Sequence, residues 1–265
     1  MSGVVAASGR LRATWFLVFW AAVGIASYVL GVRNVVGQRA EESVLDAADF
    51  TFTPPPPLNL VSIPTVAIAL VVVGVIAWVS HGFRRALVVT VIPALSILAA
   101  QLLKLRLLTR PELFELDAAN TFPSGHMTVF AAITAALIWA VPSRVRAFVA
   151  LGGAALIAAV GWQLLAYGWH RPSDVYGGIA LAVVAFAAAS LIRPPTSRGE
   201  TVLGGSASVG LAIAGWVTVG AAVVLVGVAV ATENSALMLS AGEFGGVGAA
   251  ALAARTMLLL GSRRA

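Results

Sequence analysis

Residues 61–79 read VSIPTVAIALVVVGVIAWV, an uncharged stretch long enough to cross a hydrocarbon core of about 30 Å as a single helix. Hydrophobic residues make up 60% of the 265 residues and charged residues only 11%, which excludes a soluble globular domain. We therefore predict an all-α, polytopic membrane helical bundle. Its eight spans are expected at 13–30, 61–79, 86–103, 127–141, 147–167, 175–192, 209–231 and 237–260.

The first six spans lie within residues 1–192, which include an outer loop at 33–59. We predict a cytoplasmic linker at 193–208 and the last two spans within residues 209–265. The fourth span is short, so its helix should begin near Pro123 or be surrounded by protein rather than by lipid. No clear small-residue cleavage site follows the first span, which indicates a retained helix.

Loop charges predict the orientation, because Lys and Arg in short loops stay on the cytoplasmic side. An inside N-terminus places ten arginines in the cytoplasm: Arg10, Arg12, Arg84, Arg85, Arg144, Arg146, Arg193, Arg198, Arg263 and Arg264. The opposite side collects nine of the eleven acids: Glu41, Glu42, Asp46, Asp49, Glu112, Glu115, Asp117, Asp174 and Glu233. We predict a multi-pass protein of the cell (plasma) membrane with both termini in the cytoplasm. The net charge of +6 reflects this distribution, and we expect no nucleic-acid partner.

The outer loop contains an amphipathic segment. Val36, Ala40, Val44 and Ala47 recur at helical spacing with charged residues between them, which is typical of a short helix on the outer membrane face. An ordered connector explains the same pattern at least as well. Residues 54–57 are four prolines, which favour an extended polyproline-II spacer.

Three polar segments stand at the outer ends of predicted spans. Residues 104–111 (KLRLLTRP) follow the third span, residues 120–126 (NTFPSGH) precede the fourth, and residues 169–174 (WHRPSD) precede the sixth. With an inside N-terminus all three lie on the extracytoplasmic face, where they can converge. Two of the three histidines of the chain fall in these segments.

The segments offer groups that suit a dianionic phosphate. Lys104, Arg106 and Arg110 supply fixed positive charges for charge-assisted hydrogen bonds. A helix that begins at the PSGH sequence presents unpaired backbone N–H groups and the positive end of its dipole to an anion. Ser124 adds a hydroxyl group, and Gly125 lets the anion approach the backbone closely.

His170 and Asp174 are four residues apart, which on a helix brings them to one face. The carboxylate then holds one ring nitrogen protonated and leaves the other as a nucleophile. Singly, each group has a structural explanation, such as a lysine that snorkels or an acid that pairs with a helix dipole. Together with His126 they form a set for phosphoryl transfer without a metal, and the chain has no cysteine to ligate zinc or an iron–sulfur cluster.

These segments resemble the type 2 phosphatidic acid phosphatase (PAP2) family, in its membrane-bound lipid phosphatase branch. Lys104 with Arg110-Pro111 is similar to the family's first motif, PSGH at 123–126 is the second, and His170 with Asp174 is similar to the third. The resemblance covers roughly residues 87–192. It implies a six-helix catalytic core over residues 1–192, to which the two C-terminal helices are additional.

The chain departs from the family pattern at two places. Five residues rather than six separate Lys104 from Arg110, which on an α-helix corresponds to a turn of about 100°. Gln163 and Leu164 stand where the family has a Ser-Arg pair. Arg171 is the nearest replacement for that arginine, and Arg106 is the second.

The resemblance implies a mechanism. His170 attacks phosphorus, Asp174 orients its ring, His126 protonates the leaving oxygen, and water then hydrolyses the phosphohistidine. Lys104, Arg110, Ser124, Gly125, Arg171 and Arg106 bind the phosphate, and we expect no cofactor and no metal. The expected substrate is a lipid-linked phosphate or pyrophosphate. Two alternatives stay open: a phosphotransferase that uses the same site, and a non-catalytic transporter or scaffold with a degenerate site.

The C-terminal region adds a G-x-x-x-G spacing at 242–246, which suits close contact between helices. We name membrane lipids as partners and the two C-terminal helices as a candidate surface for homo-oligomer formation. Glu243 is either a functional intramembrane acid or a partly hydrated interfacial residue. His81 lies beside Arg84 and Arg85, and we interpret it as structural.

Overall fold

The computed structural model describes residues 2–114, 119–192 and 201–262. Within these residues the chain forms nine α-helices and no strand, so the predicted all-α bundle is confirmed. The helices are α1 (Ser2–Ala26), α2 (Val35–Asp46), α3 (Ile63–His81), α4 (Phe83–Leu102), α5 (Gly125–Ala140), α6 (Arg146–Ala166), α7 (Pro172–Ile192), α8 (Val202–Thr232) and α9 (Ser235–Leu260).

Seven of the described helices are long and apolar enough to cross a membrane, so the chain is a multi-pass membrane protein. The remaining predicted span, the fourth, is α5, which has 16 residues and begins at Gly125. The Ser124 side chain accepts a hydrogen bond from the backbone N–H of Met127 and so caps the helix. Most α5 residues are buried, because α3, α4, α6 and α7 pack around the helix. A short helix is tolerated here since protein surrounds it.

Two helices end in π-helical turns. The chain continues from α1 through a π-helix at Ser27–Val32, and from α4 through a π-helix at Leu103–Leu107. The second π-helix carries Lys104 and Arg106. Single π-turns are frequent at functional sites, because the wider turn re-aims the side chains that it carries.

The two C-terminal helices begin earlier and pack more deeply than the predicted division suggests. The Thr201 side chain caps α8, which begins at Val202, so residues 202–208 of the predicted linker are helical, while residues 193–200 lie outside the described residues. Helix α9 shares one hydrophobic core with α1, α5, α6 and α7. Gly242 of α9 lies against Pro172 and Leu165 of the same chain. Because glycine has no side chain, the backbone of α9 can approach these residues closely.

One end of the bundle gathers several of the predicted cytoplasmic arginines. Arg146 donates to the carbonyl of Gly261 at 2.6 Å, Arg12 donates to the carbonyl of Ser262, and Arg85 donates to the carbonyl of Trp139. Cations at helix C-termini stabilise carbonyls that lack partners within the helix. Among the other charged residues used for the orientation, Arg193, Arg198, Arg263, Arg264, Glu115 and Asp117 lie outside the described residues.

The predicted outer-loop helix is present as α2, which the Asn34 side chain caps. The residues that α2 buries are Gln38, Glu41 and Val44, whereas Val36 is 71% exposed. Val44 packs against Ala229 of α8 and Met238 of α9. The buried face of α2 is therefore partly polar, and it contacts protein.

Candidate active site

The three polar segments meet at the end of the bundle opposite Arg85 and Arg146. His126 stands in the first turn of α5, and His170 lies in the loop between α6 and α7. Their ring centroids are 6.5 Å apart. The structure thus brings the two predicted catalytic histidines together, and the His126 ring also packs edge-on against Trp169 at 5.7 Å.

Asp174 fixes the His170 ring. The Nδ1–H group of His170 donates to Oδ2 of Asp174 at 3.1 Å, and the backbone N–H of His170 donates to the carbonyl of Leu164. His170 precedes α7, which begins at Pro172, so the pair spans the helix start rather than one helical face. Asp174 is fully buried, and its Oδ2 also accepts the Arg171 backbone N–H at 3.0 Å. These bonds leave Nε2 of His170 as the nitrogen that points away from the carboxylate.

The turn before His170 depends on Gly168. Its φ of +65° lies in the left-handed region, and a Cβ atom there would come within 2.8 Å of the Phe50 ring. The indole N–H of Trp169 donates to the carbonyl of Thr51 at 2.7 Å. The outer loop therefore holds the segment that carries the predicted nucleophile.

Sequence reasoning missed two polar residues of this site. The hydroxyl of Thr121 donates to Oδ2 of Asp174 at 2.6 Å. The side-chain amide of Asn120 donates to the carbonyls of Lys104 and Leu108, which joins the segment before α5 to the π-helix. Both residues belong to the quoted NTFPSGH sequence, and their polarity just before a helix start was the only local signal.

Lys104 lies on the π-helix, near enough to Asp174 and His126 for its charge to act on both side chains. The backbone N–H of Leu108 bonds to the carbonyl of Leu103, five residues back, and residue 108 is extended. The expected turn of about 100° between Lys104 and Arg110 therefore does not apply, because the segment is not α-helical.

The start of α5 combines a cap with an open backbone. The Ser124 N–H group donates to the carbonyl of Asp174 at 2.9 Å, which ties the first turn of α5 to α7. Ser124 is fully buried, whereas Gly125 and His126 are half-buried. A Cβ atom at Gly125 would come within 2.9 Å of the Gln101 amide nitrogen. The backbone N–H groups of the first turn and the helix dipole are suited to an anion at this position.

Arg110 forms an ion pair that the sequence did not predict. Its Nη2 atom lies 3.3 Å from Oε2 of Glu41 in α2, and its side chain is only 1% exposed. The other oxygen of Glu41 accepts the Ser173 backbone N–H at 3.0 Å. Burial raises the pKa of the Glu41 carboxyl and nearby Asp174 adds to the rise, although Ser173 and Arg110 act in the opposite direction.

The remaining predicted phosphate ligands lie in different surroundings. Arg171 is buried, and its guanidinium donates to the Thr121 hydroxyl at 3.4 Å, whereas Arg106 is exposed on the π-helix. Gln163 binds the outer loop through the Pro56 carbonyl and the Leu58 N–H. Leu164 is buried, and its carbonyl accepts a hydrogen bond from the backbone N–H of His170. Thus residues 163 and 164, which stand where the family has Ser-Arg, form hydrogen bonds that hold the outer loop and the His170 backbone in place.

A comparison with protein families agrees with these motifs. The model of the PAP2 superfamily matches residues 65–198, just over half of the chain. The chain belongs to the PAP2 superfamily. The match runs from α3 through α7 and contains all three polar segments, and membership in PAP2 suggests phosphatase activity in a membrane protein. No match is found among curated proteins or among solved structures.

Among the described residues, no three His, Asp or Glu side chains are arranged to hold a metal ion.

Proposed function

We propose that the protein is an integral-membrane phosphatase that hydrolyses a lipid-linked phosphate or pyrophosphate on the extracytoplasmic face through a phosphohistidine. The observation that carries this proposal is the pair of imidazoles 6.5 Å apart, one of which is hydrogen-bonded through Nδ1 to a buried aspartate. A nucleophile oriented by a carboxylate and a second titratable group beside it are what two-step displacement at phosphorus requires.

The first step forms a nitrogen–phosphorus bond. The lone pair on Nε2 of His170 attacks the terminal phosphorus, and the bond from this phosphorus to the leaving oxygen breaks. The leaving oxygen is the lipid oxygen of a monophosphate or the bridging oxygen of a pyrophosphate, and it takes a proton from His126. Asp174 stabilises the positive charge that develops on the His170 ring. In the second step water attacks phosphorus, His126 accepts the proton of that water, and inorganic phosphate leaves as His170 is restored.

Charged and polar groups around the histidines stabilise the transition state. Lys104 suits this role, since its positive charge acts on both His126 and Asp174. The N–H of Gly125 and the hydroxyl of Ser124 act at the start of α5. Arg110, Arg171 and Arg106 complete the proposed phosphate ligands, with Arg110 positioned by Glu41.

The location of the site supports a lipid substrate and an extracytoplasmic active site. The histidines stand at the ends of membrane helices, where a phosphate on a lipid head group can reach them from the adjacent leaflet. The arginine-rich end of the bundle lies opposite, and the positive-inside rule favours placing that end in the cytoplasm.

Phosphate release by the purified protein tests this function. We expect inorganic phosphate from at least one member of a panel of phosphatidate, phosphatidylglycerophosphate and polyprenyl pyrophosphate in detergent micelles, with activity retained in EDTA. Product analysis in the same assay detects transfer to a lipid or sugar hydroxyl, which would identify a phosphotransferase. Absence of both phosphate release and transfer across the panel would contradict the proposal, and loss of activity in EDTA would contradict the metal-free mechanism.

A further inference from the structure

The accessible residues of α5 lie in one narrow line along the helix. Every α5 residue from 127 to 140 is buried except Phe130, Ile133 and Leu137, and His126 above them is half-buried. These four positions are spaced by four, three and four residues, which places them along one side of the helix. The histidine that is proposed to protonate the leaving group therefore stands at the top of the one accessible face of α5.

Below His126 this face forms the wall of an apolar groove between α3, α5 and α6. The groove has a volume of about 410 Å³, which is within the usual range for ligand-binding clefts. Its lining includes Val61, Ala69, Phe130, Ile133, Leu137 and Gly152. Leu137 lies eleven residues beyond His126, or about 16 Å along the helix, so the groove descends to about the middle of a 30 Å hydrocarbon core.

The upper rim of the groove is tied to the active site through the last turns of α6. Gln163 hydrogen-bonds to Pro56 and Leu58, and this segment leads into Leu60 and Val61 at the rim. The next residue, Leu164, accepts the backbone N–H of His170. One helical segment thus positions both the rim and the histidine.

We propose that this groove binds the hydrocarbon chain of the lipid phosphate whose head group lies between His126 and His170. The inference rests on the proposed function and adds the place of the chain. The alignment of an apolar groove beneath a polar site matches the two parts of a lipid phosphate. Because surrounding lipid is as apolar as the groove, the gain is in orientation rather than in hydrophobic free energy. The bound chain holds the ester oxygen at His126.

The substitution Gly152→Leu tests the groove. Gly152 lines the groove, and a Cβ atom there would meet nothing within 4 Å, so Gly152→Leu fills the groove without a clash at Cβ. Gly220→Leu is the matched control, since Gly220 of α8 is exposed, has the same free space and lies away from the groove. The readout is the ratio of kcat/KM for a long-chain phosphatidate to kcat/KM for a water-soluble short-chain ester.

We expect Gly152→Leu to lower this ratio roughly tenfold or more, and Gly220→Leu to leave it unchanged. An unchanged ratio in Gly152→Leu, or an equal loss in both variants, would overturn the groove as the chain site. If the wild-type protein releases no phosphate from any substrate, the proposed function is wrong. Photolabelling then tests separately whether the groove binds a lipid chain.

The labelling probe is a phosphatidate with a diazirine at the middle of one acyl chain, in phosphatidylcholine vesicles. We expect wild-type protein to be labelled within residues 129–137, with labelling suppressed by excess unlabelled phosphatidate and insensitive to added phosphatidylcholine. Labelling of this segment that phosphatidylcholine suppresses equally would mean ordinary lipid contact and would contradict the inference. Absence of label from the segment would contradict it too.

Discussion

The two ends of the helical bundle use their polar side chains differently. Where α9 ends, Arg12, Arg85 and Arg146 each donate to a backbone carbonyl near the end of a helix. His81 at the same end lies 3.2 Å from the Val141 carbonyl. These side chains connect distant parts of the chain, so their hydrogen bonds serve the fold.

The opposite end places titratable side chains beside one another. The His126 and His170 rings are 6.5 Å apart, Nδ1 of His170 faces Asp174, and Lys104 lies on the adjacent π-helix. Among the described residues, buried donors without a hydrogen-bond partner occur at the arginine-rich end too, such as Nη2 of Arg85, so the two ends differ in the kind of group that they gather. We interpret the difference as one between charge that serves the fold and charge that serves the proposed function, and the predictions below test it.

The largest effect is expected from the histidines. His170→Ala and His126→Ala should each lower kcat for phosphate release, with a loss on the order of 10⁴–10⁶ for the proposed nucleophile His170 and 10²–10⁴ for the proposed acid His126. His81→Ala is the matched control at the other end and should keep activity per folded molecule. Full activity in either site variant with intact expression would refute the assignment.

Asp174→Asn comes next. The amide cannot stabilise the imidazolium and favours the wrong tautomer of His170, so we expect kcat to fall by about 10³–10⁴. Thr121→Val, which removes one donor to the same carboxylate oxygen, should cause a much smaller loss. The two variants are compared by single-turnover phosphate release. A larger loss in Thr121→Val than in Asp174→Asn would contradict the proposed role of the carboxylate.

Lys104→Met compares the two ends directly. Loss of a cation that acts on the transition state should lower kcat/KM by about 10²–10³ with little change in thermal stability. Arg85→Met should show the reverse, a lower melting temperature and near-normal kinetics, because Arg85 bonds to the Trp139 carbonyl and packs over the Trp139 ring. The measurements are kcat/KM and the melting temperature of both variants. Equal changes of both quantities in the two variants would contradict the distinction between the two ends.

The smallest effect concerns Glu41. Because its pKa in the folded protein is raised above the ordinary value of 4.5, the folded state binds a proton more readily than the unfolded state. The stability of the wild type relative to Glu41→Gln should therefore be greatest below pH 4.5 and fall as the pH rises through the folded pKa. We expect a decline of about 2–4 °C in the difference of Tm between the two proteins. A difference that grows with pH would mean that the Arg110 ion pair outweighs burial.

Much of the architecture could be predicted because apolar length is a local property. Each predicted span corresponds to a helix, and the PSGH sequence carries its own cap in Ser124. The start of α8 could not be placed, since residues 204–208 are small and mildly polar and become helical beside α9. The burial of α9 in the core likewise depends on packing against α6 and α7 that leaves no periodic pattern.

Within the site, the sequence indicated residues that stand close together in the chain and missed long-range partners. His170 and Asp174 are four residues apart, so their contact follows from local geometry. Glu41 and Arg110 are 69 residues apart, and Thr121 and Asp174 are 53 apart. Such pairs follow from tertiary packing, which hydrophobic periodicity does not specify.

The position of the phosphoryl group on the trapped enzyme tests the central claim most directly. Rapid acid-free quenching with a ³²P-labelled lipid phosphate, followed by peptide analysis, should find the label on His170, attached at Nε2, since Nδ1 faces Asp174. Label at His126, at Nδ1 of His170 or on no histidine during turnover would contradict the account.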